Sequence, residues 1–551
     1  MKNILLTPIL ISFSVLSALA GVYSPADSLA NEKDSIQSKY LNWYNQDPEE
    51  EFTPGVGTER AYKELIKRRR TPKPVVVAII DTGVDTTHED LKGKFWTNPG
   101  EIPGNGNDDD GNGYIDDVHG WNFLGNGKGE NLFFENLELT RVYRQYSEKF
   151  RNKEKKDFTS EEKKEYKVFR RIKKKYGEEL AKNVGENQKL EKFSKKYTDK
   201  DDILKAHFKK DSYSVEEMES LKSDNEELNG AATFMLSLKK NGFDISALQG
   251  YKKELDNQLA YYLDTNYNAR TLIGDDPSKD DGTVYGNNNV NADSSGHGTH
   301  VAGIVAAIRN NDKGINGVSN AAQIMVLRVV PDGDERDKDI ARAIRYAADN
   351  GARVINMSFG KILSPQKELV DAAVQYASSK GVLLVHAAGN DGQNNDKVRH
   401  YPDAVLLNSQ KVNNWVTVGA TGSLRDERLV GSFSNYGKKT VDIFAPGVDI
   451  YSLKAGGGYI THSGTSMACP VFSGVAALLM SYYPELSTEQ IRGILIDSSV
   501  QFKNLKVTKP QDTDGKPKKS KLSKLSVSGG LVNAYQAVVL AEKVSKQQVS
   551  K

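Results

Sequence analysis

Ser466 stands in the run Ser463-Gly464-Thr465-Ser466-Met467-Ala468-Cys469-Pro470, a setting in which a hydroxyl can become a nucleophile. A small-residue turn, Ser463 to Thr465, delivers it to an apolar stretch, Val471 to Met480, that the pattern predicts as a helix. Pro470 suits the first turn of such a helix, where its missing N–H costs little. A helix N-terminus offers unpaired N–H groups and the positive end of the dipole, both able to stabilise an oxyanion beside the serine. A lone serine of this kind is an ordinary N-cap. A serine nucleophile needs a general base, itself oriented by a third group. The β-branched run Val75 to Ile80 reads as a buried parallel strand and ends in Asp81-Thr82-Gly83, a carboxylate where open α/β sheets form their sites. Ser295-Gly296-His297-Gly298 precedes the helical run Val301 to Ile308, and glycines on both sides of His297 allow close backbone approach. The chain order Asp, His, Ser is one of three unrelated orders for the serine triad.

Ile80-Asp81-Thr82-Gly83, His297-Gly298-Thr299-His300-Val301-Ala302-Gly303 and Gly464-Thr465-Ser466-Met467-Ala468 resemble the three signature segments of the subtilisin-like serine peptidases, in that family's order. The resemblance implies an α/β fold, a mostly parallel sheet flanked by helices, and an endopeptidase acting on proteins or peptides. Ser466 would be the nucleophile that carries the acyl-enzyme, His297 the general base and then acid, and Asp81 the carboxylate orienting the imidazole. Asn390, after Ala387-Ala388-Gly389, matches the family's oxyanion donor. Ser358, Phe359 and Gly360 match the segment that pairs with extended substrate. Ala387, Ala388 and Gly389 match one wall of the first specificity pocket, and their smallness implies room for a large apolar side chain. His300 resembles a second, non-catalytic histidine, satisfied on its helix. A catalytically silent binding protein on the same fold is the competing class, and four intact site residues argue against it. An acyl transferase or peptide cyclase would use the same residues.

The first twenty residues combine Lys2, an apolar stretch from Ile4 to Ala20 and the terminal Ala18-Leu19-Ala20, the pattern of a cleaved signal peptide. Export, periplasmic or secreted, is the expectation, with no stable membrane span after cleavage. The single cysteine, Cys469, excludes an internal disulfide; it reads as a small buried hydrophobe on the helix, close enough to Ser466 to suggest thiol-reagent sensitivity. Residues 73–125 and 285–540 form the expected discontinuous catalytic domain. Residues 21–72 precede it as a short segment ending near Arg68-Arg69-Arg70, either a solvated helix end or a processing site. Residues 541–551 are a tail.

Asp108-Asp109-Asp110-Gly111-Asn112-Gly113-Tyr114-Ile115-Asp116 has side-chain oxygens from Asp108, Asp110, Asn112 and Asp116, and a backbone position at Tyr114, at the spacing of an EF-hand front half. His119 stands where the bidentate Glu belongs, so Asp116 or Asp117 would have to supply the last oxygen. A structural Ca2+ is the expected cofactor. The patch at Asp275-Asp276 and Asp280-Asp281 has no comparable spacing. Residues 126–284 are a Lys-rich insertion, predicted as four or five helices from the capping boxes at Thr159 and Ser214 and the apolar positions Tyr166, Phe169, Ile172, Tyr176 and Leu180. Its net charge is +11 over 141–210 and −5 over 211–270. No nucleic-acid motif accompanies the lysines, so nucleic acid is not an expected partner. A helical subdomain between Asp81 and His297 is expected to border the cleft and attract acidic substrates.

Overall fold

The computed structural model describes residues 41–291, 295–511 and 518–549. The expected signal peptide lies outside them. Within these residues the chain forms two compact units, Leu139–Tyr267 and the remainder.

The larger unit is an α/β structure. Its strands in chain order are β1 (Val75–Asp81), β2 (Gly120–Asn122), β3 (Ala322–Arg328), β4 (Val354–Met357), β5 (Leu383–Ala387), β6 (Trp415–Thr421), β7 (Ile443–Pro446), β8 (Ile450–Leu453), β9 (Tyr459–His462), β10 (Val500–Gln501), β11 (Lys506–Thr508), β12 (Lys519–Lys521) and β13 (Gly530–Leu531). Nine of them make one sheet in the order β10-β13-β7-β6-β5-β4-β1-β3-β2, parallel except for β10 against β13. β1 is apolar on both faces because helices cover both. Val75, Val77 and Ile79 pack with helices Gly296–Ala306 and Thr465–Tyr482. Ala78 and Ile80 face the other way, toward helices Asp337–Asp349 and Lys367–Ser379. β3 and β4 flank β1, so the connections diverge there and leave a crevice at the strands' C-terminal ends. Asp81 is the last residue of β1.

Both site helices begin earlier than the apolar pattern predicts. The helix expected at Val301 to Ile308 starts at Gly296, which puts His297 in its first turn. The helix expected from Val471 starts at Thr465, so Pro470 lies inside it, not in its first turn. Pro470 removes the N–H that would reach the Ser466 carbonyl four residues back. The Ser358 hydroxyl takes that place, donating to the Ser466 carbonyl at 2.8 Å. The same helix, Thr465–Tyr482, is the one among the described residues long and apolar enough to cross a membrane, and it is buried in the core.

The segment before residue 73 is no separate piece. Trp43, Tyr44, Val56, Ala61 and Leu65 belong to the main core. Trp43 Nε1 donates to the Asp449 carbonyl at 3.1 Å and the Tyr44 hydroxyl to the Asn316 carbonyl at 2.9 Å. Arg70 is tied to Glu485 (2.9 Å) and Glu542 (3.3 Å) and lies over the Tyr483 ring, whereas Arg69 is exposed and Arg68 pairs with Glu64 of its own helix. The expected C-terminal tail is likewise part of a helix, Ala534–Val549, with Ala541 and Ser545 buried.

The helical unit contains Ser160–Phe208, a helix of 49 residues, with Val215–Glu219, Glu226–Lys240 and Ile245–Asn257. Helix Glu138–Phe150 leads into it. Both expected capping boxes are formed, at Thr159 with Glu162 and at Ser214 with Glu217. Phe169, Ile172 and Tyr176 are buried on one helix face, as their spacing requires. The unit is shorter than the insertion read from sequence. Residues 126–138 and 268–284 belong to the larger unit, because Arg270 is buried there against Glu135 and Asp339.

The N-terminal segment should therefore be indispensable. Tyr44→Ala should destabilise the protein by about 3–5 kcal/mol, since it empties a fully buried aromatic site and removes a buried hydrogen bond. Denaturant unfolding measures this, and a loss below about 1 kcal/mol would contradict the assignment of residues 41–72 to the core.

Candidate active site

Asp81 is buried at the end of β1, where its Oδ1 accepts from the Thr82 N–H at 2.8 Å and from His297 Nδ1 at 2.7 Å. A carboxylate can only accept, so Nδ1 carries the proton and Nε2 keeps its lone pair. The Gly298 N–H donates to the Thr82 hydroxyl at 3.1 Å and fixes the helix start against the strand end. A side chain at Gly298 would put its Cβ 2.0 Å from the Gly83 carbonyl oxygen, so glycine is required there; Gly296 has open space around it. Burial pulls the His297 pKa down, and the charge and hydrogen bond of Asp81 overcome that, leaving it above the ordinary value.

Ser466 and Ser358 hold each other. The Ser466 hydroxyl donates to the Ser358 carbonyl at 3.0 Å while the Ser358 hydroxyl serves the Ser466 carbonyl. No hydrogen bond joins Ser466 to His297 in this arrangement. The Thr465 N–H and hydroxyl both donate to Asn390 Oδ1 at 2.9 Å, and the Gly389 N–H donates to the Thr465 hydroxyl at 3.1 Å. Two donors on one side of the Asn390 amide identify that atom as oxygen and leave its NH2 free on an exposed side chain. The Ser466 N–H, one of the orphan donors of its helix, also has no partner. Asp81, His297, Ser466 and Asn390 are thus brought together at the C-terminal edge of the sheet. The sequence reading missed Thr465 and the Ser358 hydroxyl. Both are small polar residues beside a motif, and only the fold shows what they bond.

Residues 73–524 match the family model described as the subtilase family. The chain belongs to the subtilase family. It is 44% identical over 190 residues to a thermophilic serine proteinase of Bacillus sp. (strain AK1), 34% of this chain and 43% of that protein. To a subtilisin of Bacillus sp. (strain TA39) it is 40% identical over 231 residues, 39% and 53% of the two chains. The chain thus spans about half the length of these curated relatives. Among solved structures, a cold adapted subtilisin-like serine proteinase is 35% identical over 41% of this chain and 73% of that one, with a TM-score of 0.32.

The expected substrate residues divide. Gly360 is exposed beyond the end of β4 and Phe359 is half-buried against His386, whereas Ser358 is buried with its carbonyl engaged by Ser466. Ala387 and Ala388 are buried in and beside β5. Gly389 tolerates no side chain. A Cβ there would stand 2.4 Å from Asn435 Nδ2 and 2.9 Å from His400 Cε1, so polar side chains fill that direction. His300 Nε2 bonds the Ile450 and Ile460 carbonyls at 3.0 and 3.2 Å. Burial, then the neighbouring His462 and His297, hold His300 well below the ordinary histidine value; the backbone satisfies its Nε2, while its Nδ1 is buried without a hydrogen-bond partner.

The acidic loop of this subtilase differs from the EF-hand expectation. Asp108 accepts from the Asn112 and Gly113 N–H groups at 3.0 and 2.8 Å, and Asp116 from those of Gly104 and Gly106 at 2.8 and 2.6 Å. The Asn112 side-chain oxygen accepts from the Tyr114 N–H at 2.7 Å. These groups close turns, and among the described residues neither Asp108 nor Asp116 belongs to a cluster of three acidic groups. Asp110 instead meets Glu101 and Asp117, with one oxygen of each within 4.8 Å of the others. Glu101 and Asp117 are buried, and burial raises both carboxyl pKa values, the Asp110 charge adding to each. Glu101 Oε2 is buried and has no hydrogen-bond partner. The Asp275–Asp276 and Asp280 carboxylates are paired with Arg270, Lys338, Lys279 and Arg342.

Cys469 is fully buried, and burial pushes its thiol up to about 12. Its closeness to Ser466 therefore does not make it reactive. A disulfide reagent at pH 8 should leave the native protein unmodified and label one thiol on unfolding. Prompt stoichiometric labelling of the cooperatively folded protein would contradict this.

Proposed function

We propose that this subtilase is an exported serine endopeptidase that cleaves proteins or peptides through an acyl-enzyme on Ser466. The carrying observation is the Asp81–His297 hydrogen bond at 2.7 Å, beside a serine at the N-terminus of a buried helix. In this reading Ser466 leaves the Ser358 carbonyl, gives its proton to His297 Nε2 and attacks the scissile carbonyl. The imidazolium, stabilised by Asp81, then protonates the leaving amine, and water repeats the sequence to release the acid. The free Asn390 NH2 and the Ser466 N–H would hold the oxyanion. The apolar leader at residues 4–20 supports export.

A fluorophosphonate should label Ser466 in the wild type and label nothing in Ser466→Ala. Labelling of that variant would refute the assignment. Turnover requires neutral His297, so kcat/KM should rise with pH through a pKa above the ordinary histidine value. Asp81→Asn removes the charge that raises it, so the limb should move to lower pH, with kcat lowered by about 10^4-fold. A limb that stays in place would exclude Asp81 as the partner.

We also propose a structural calcium ion, held by Glu101, Asp110 and Asp117. Three carboxylates this close, two of them buried, repel one another without a cation, and the orphaned Glu101 oxygen is suited to ligation. An ion bound only by the folded state stabilises it by mass action. Chelation should lower the Tm of the wild type and calcium should restore it, whereas Glu101→Gln should melt independently of the chelator. A chelator-insensitive wild type would argue for the bare acidic cluster.

A further inference from the structure

Lys361 follows Gly360 directly and is buried, at 4% exposure. Its ammonium meets Glu138 Oε2 at 2.7 Å, Asp337 Oδ1 at 2.9 Å and the Glu335 carbonyl at 2.7 Å. Two of these are hydrogen bonds and the third, to Asp337, is an ion-pair contact; both carboxylates are themselves buried. The Lys361 backbone exchanges two hydrogen bonds with Tyr401, at 3.0 and 2.8 Å. Glu138 is the last residue before the chain enters the helical unit. Its own N–H donates to Asp334 at 2.7 Å, and Glu135, three residues earlier, is held by Arg336 at 2.7 Å and Arg270 at 3.4 Å.

The stretch Ser358 to Lys361 is therefore clamped at both ends. At one end Ser358 and Ser466 exchange hydrogen bonds. At the other, the Lys361 side chain is locked into the ion cluster. Between them Gly360 is exposed, and its N–H and C=O have no hydrogen-bond partner among the described residues. A glycine left free at a strand end samples many conformations, so an open pair of hydrogen-bonding groups there keeps its direction only if its flanks are fixed.

We propose that Lys361 is a positioning residue for extended substrates. The Glu138–Lys361–Asp337 cluster holds the Gly360 edge in the register that pairs with a substrate main chain, and ties that edge to the root of the helical unit. The proposal rests on reading Ser358–Gly360 as the pairing segment. It separates binding of the extended chain from acyl transfer, since Lys361 touches none of Asp81, His297, Ser466 and Asn390.

The test compares a peptide anilide spanning four residues with a single-residue ester carrying the same side chain at the scissile position. The wild type should bind the longer substrate with a KM about tenfold lower or better, because main-chain pairing adds to it. In Lys361→Met the KM for the long substrate should rise by about tenfold with kcat within threefold, and ester kinetics should stay within threefold. Equal losses on both substrates would make Lys361 a merely structural residue, and no loss on either would remove its role; both overturn the proposal. Should Lys361→Met fail to melt cooperatively, Glu138→Gln keeps the Asp337 pair and should show the same split at about threefold. Unchanged kinetics in Glu138→Gln would then overturn it. A wild type that treats the two substrates alike refutes the pairing segment itself, a failure distinguishable from that of Lys361 alone.

Discussion

The placement of Ser466 depends on how one apolar helix, Thr465–Tyr482, is held against the sheet. Nearly every side chain of this helix is buried, so hydrophobic burial drives its docking. Burial is non-directional and cannot set the last ångström at the N-terminus. Polar contacts do that. The Thr465 N–H and hydroxyl are bound by Asn390 from the end of β5, and the Ser466 carbonyl is bound by Ser358 from the end of β4. The Thr465 N–H and the Ser466 carbonyl are satisfied by the same strand ends that form the cleft, and the Ser466 N–H is left open. Capping and active-site assembly are one set of hydrogen bonds.

The large insertion is compatible with that arrangement because its two roots are locked into the larger unit before the helical unit begins. Arg270, buried with Glu135 and Asp339, and Lys361, buried with Glu138 and Asp337, hold both stems to helix Asp337–Asp349 and its flanks. Buried ion pairs of this kind add little net stability, since desolvation offsets attraction. Their value is geometric, because any other arrangement would leave a buried charge without a partner.

The acidic loop is governed by competition for oxygens. Asp108 and Asp116 spend theirs on backbone N–H groups, as short acidic side chains do in turns. Asp110 also accepts a backbone N–H, from Asn112 at 3.0 Å, yet it still lies beside Asp117 and beside Glu101, which the loop spacing did not include. Spacing alone identified an acidic loop; the turn geometry chose which carboxylates converge.

The parallel sheet was legible in the chain, and so were the four candidate residues that stand along its edge, because each rests on a local signal. β1 is a β-branched run, Asp81 closes it, and the motifs around His297 and Ser466 are contiguous. Helix boundaries were not legible, since Thr465 and Gly296 begin helices on contacts from Asn390 and Thr82 that lie far away in sequence. The same holds for Trp43, Tyr44 and the helix after Ala534, whose membership in the core is invisible without knowing what they pack against. The sequence by itself determined the chemistry on offer, through residue type and local order. Only the tertiary structure decided which small polar residues hold those groups in place, because Thr465 and Ser358 acquire their partners across long sequence separations that no local pattern encodes.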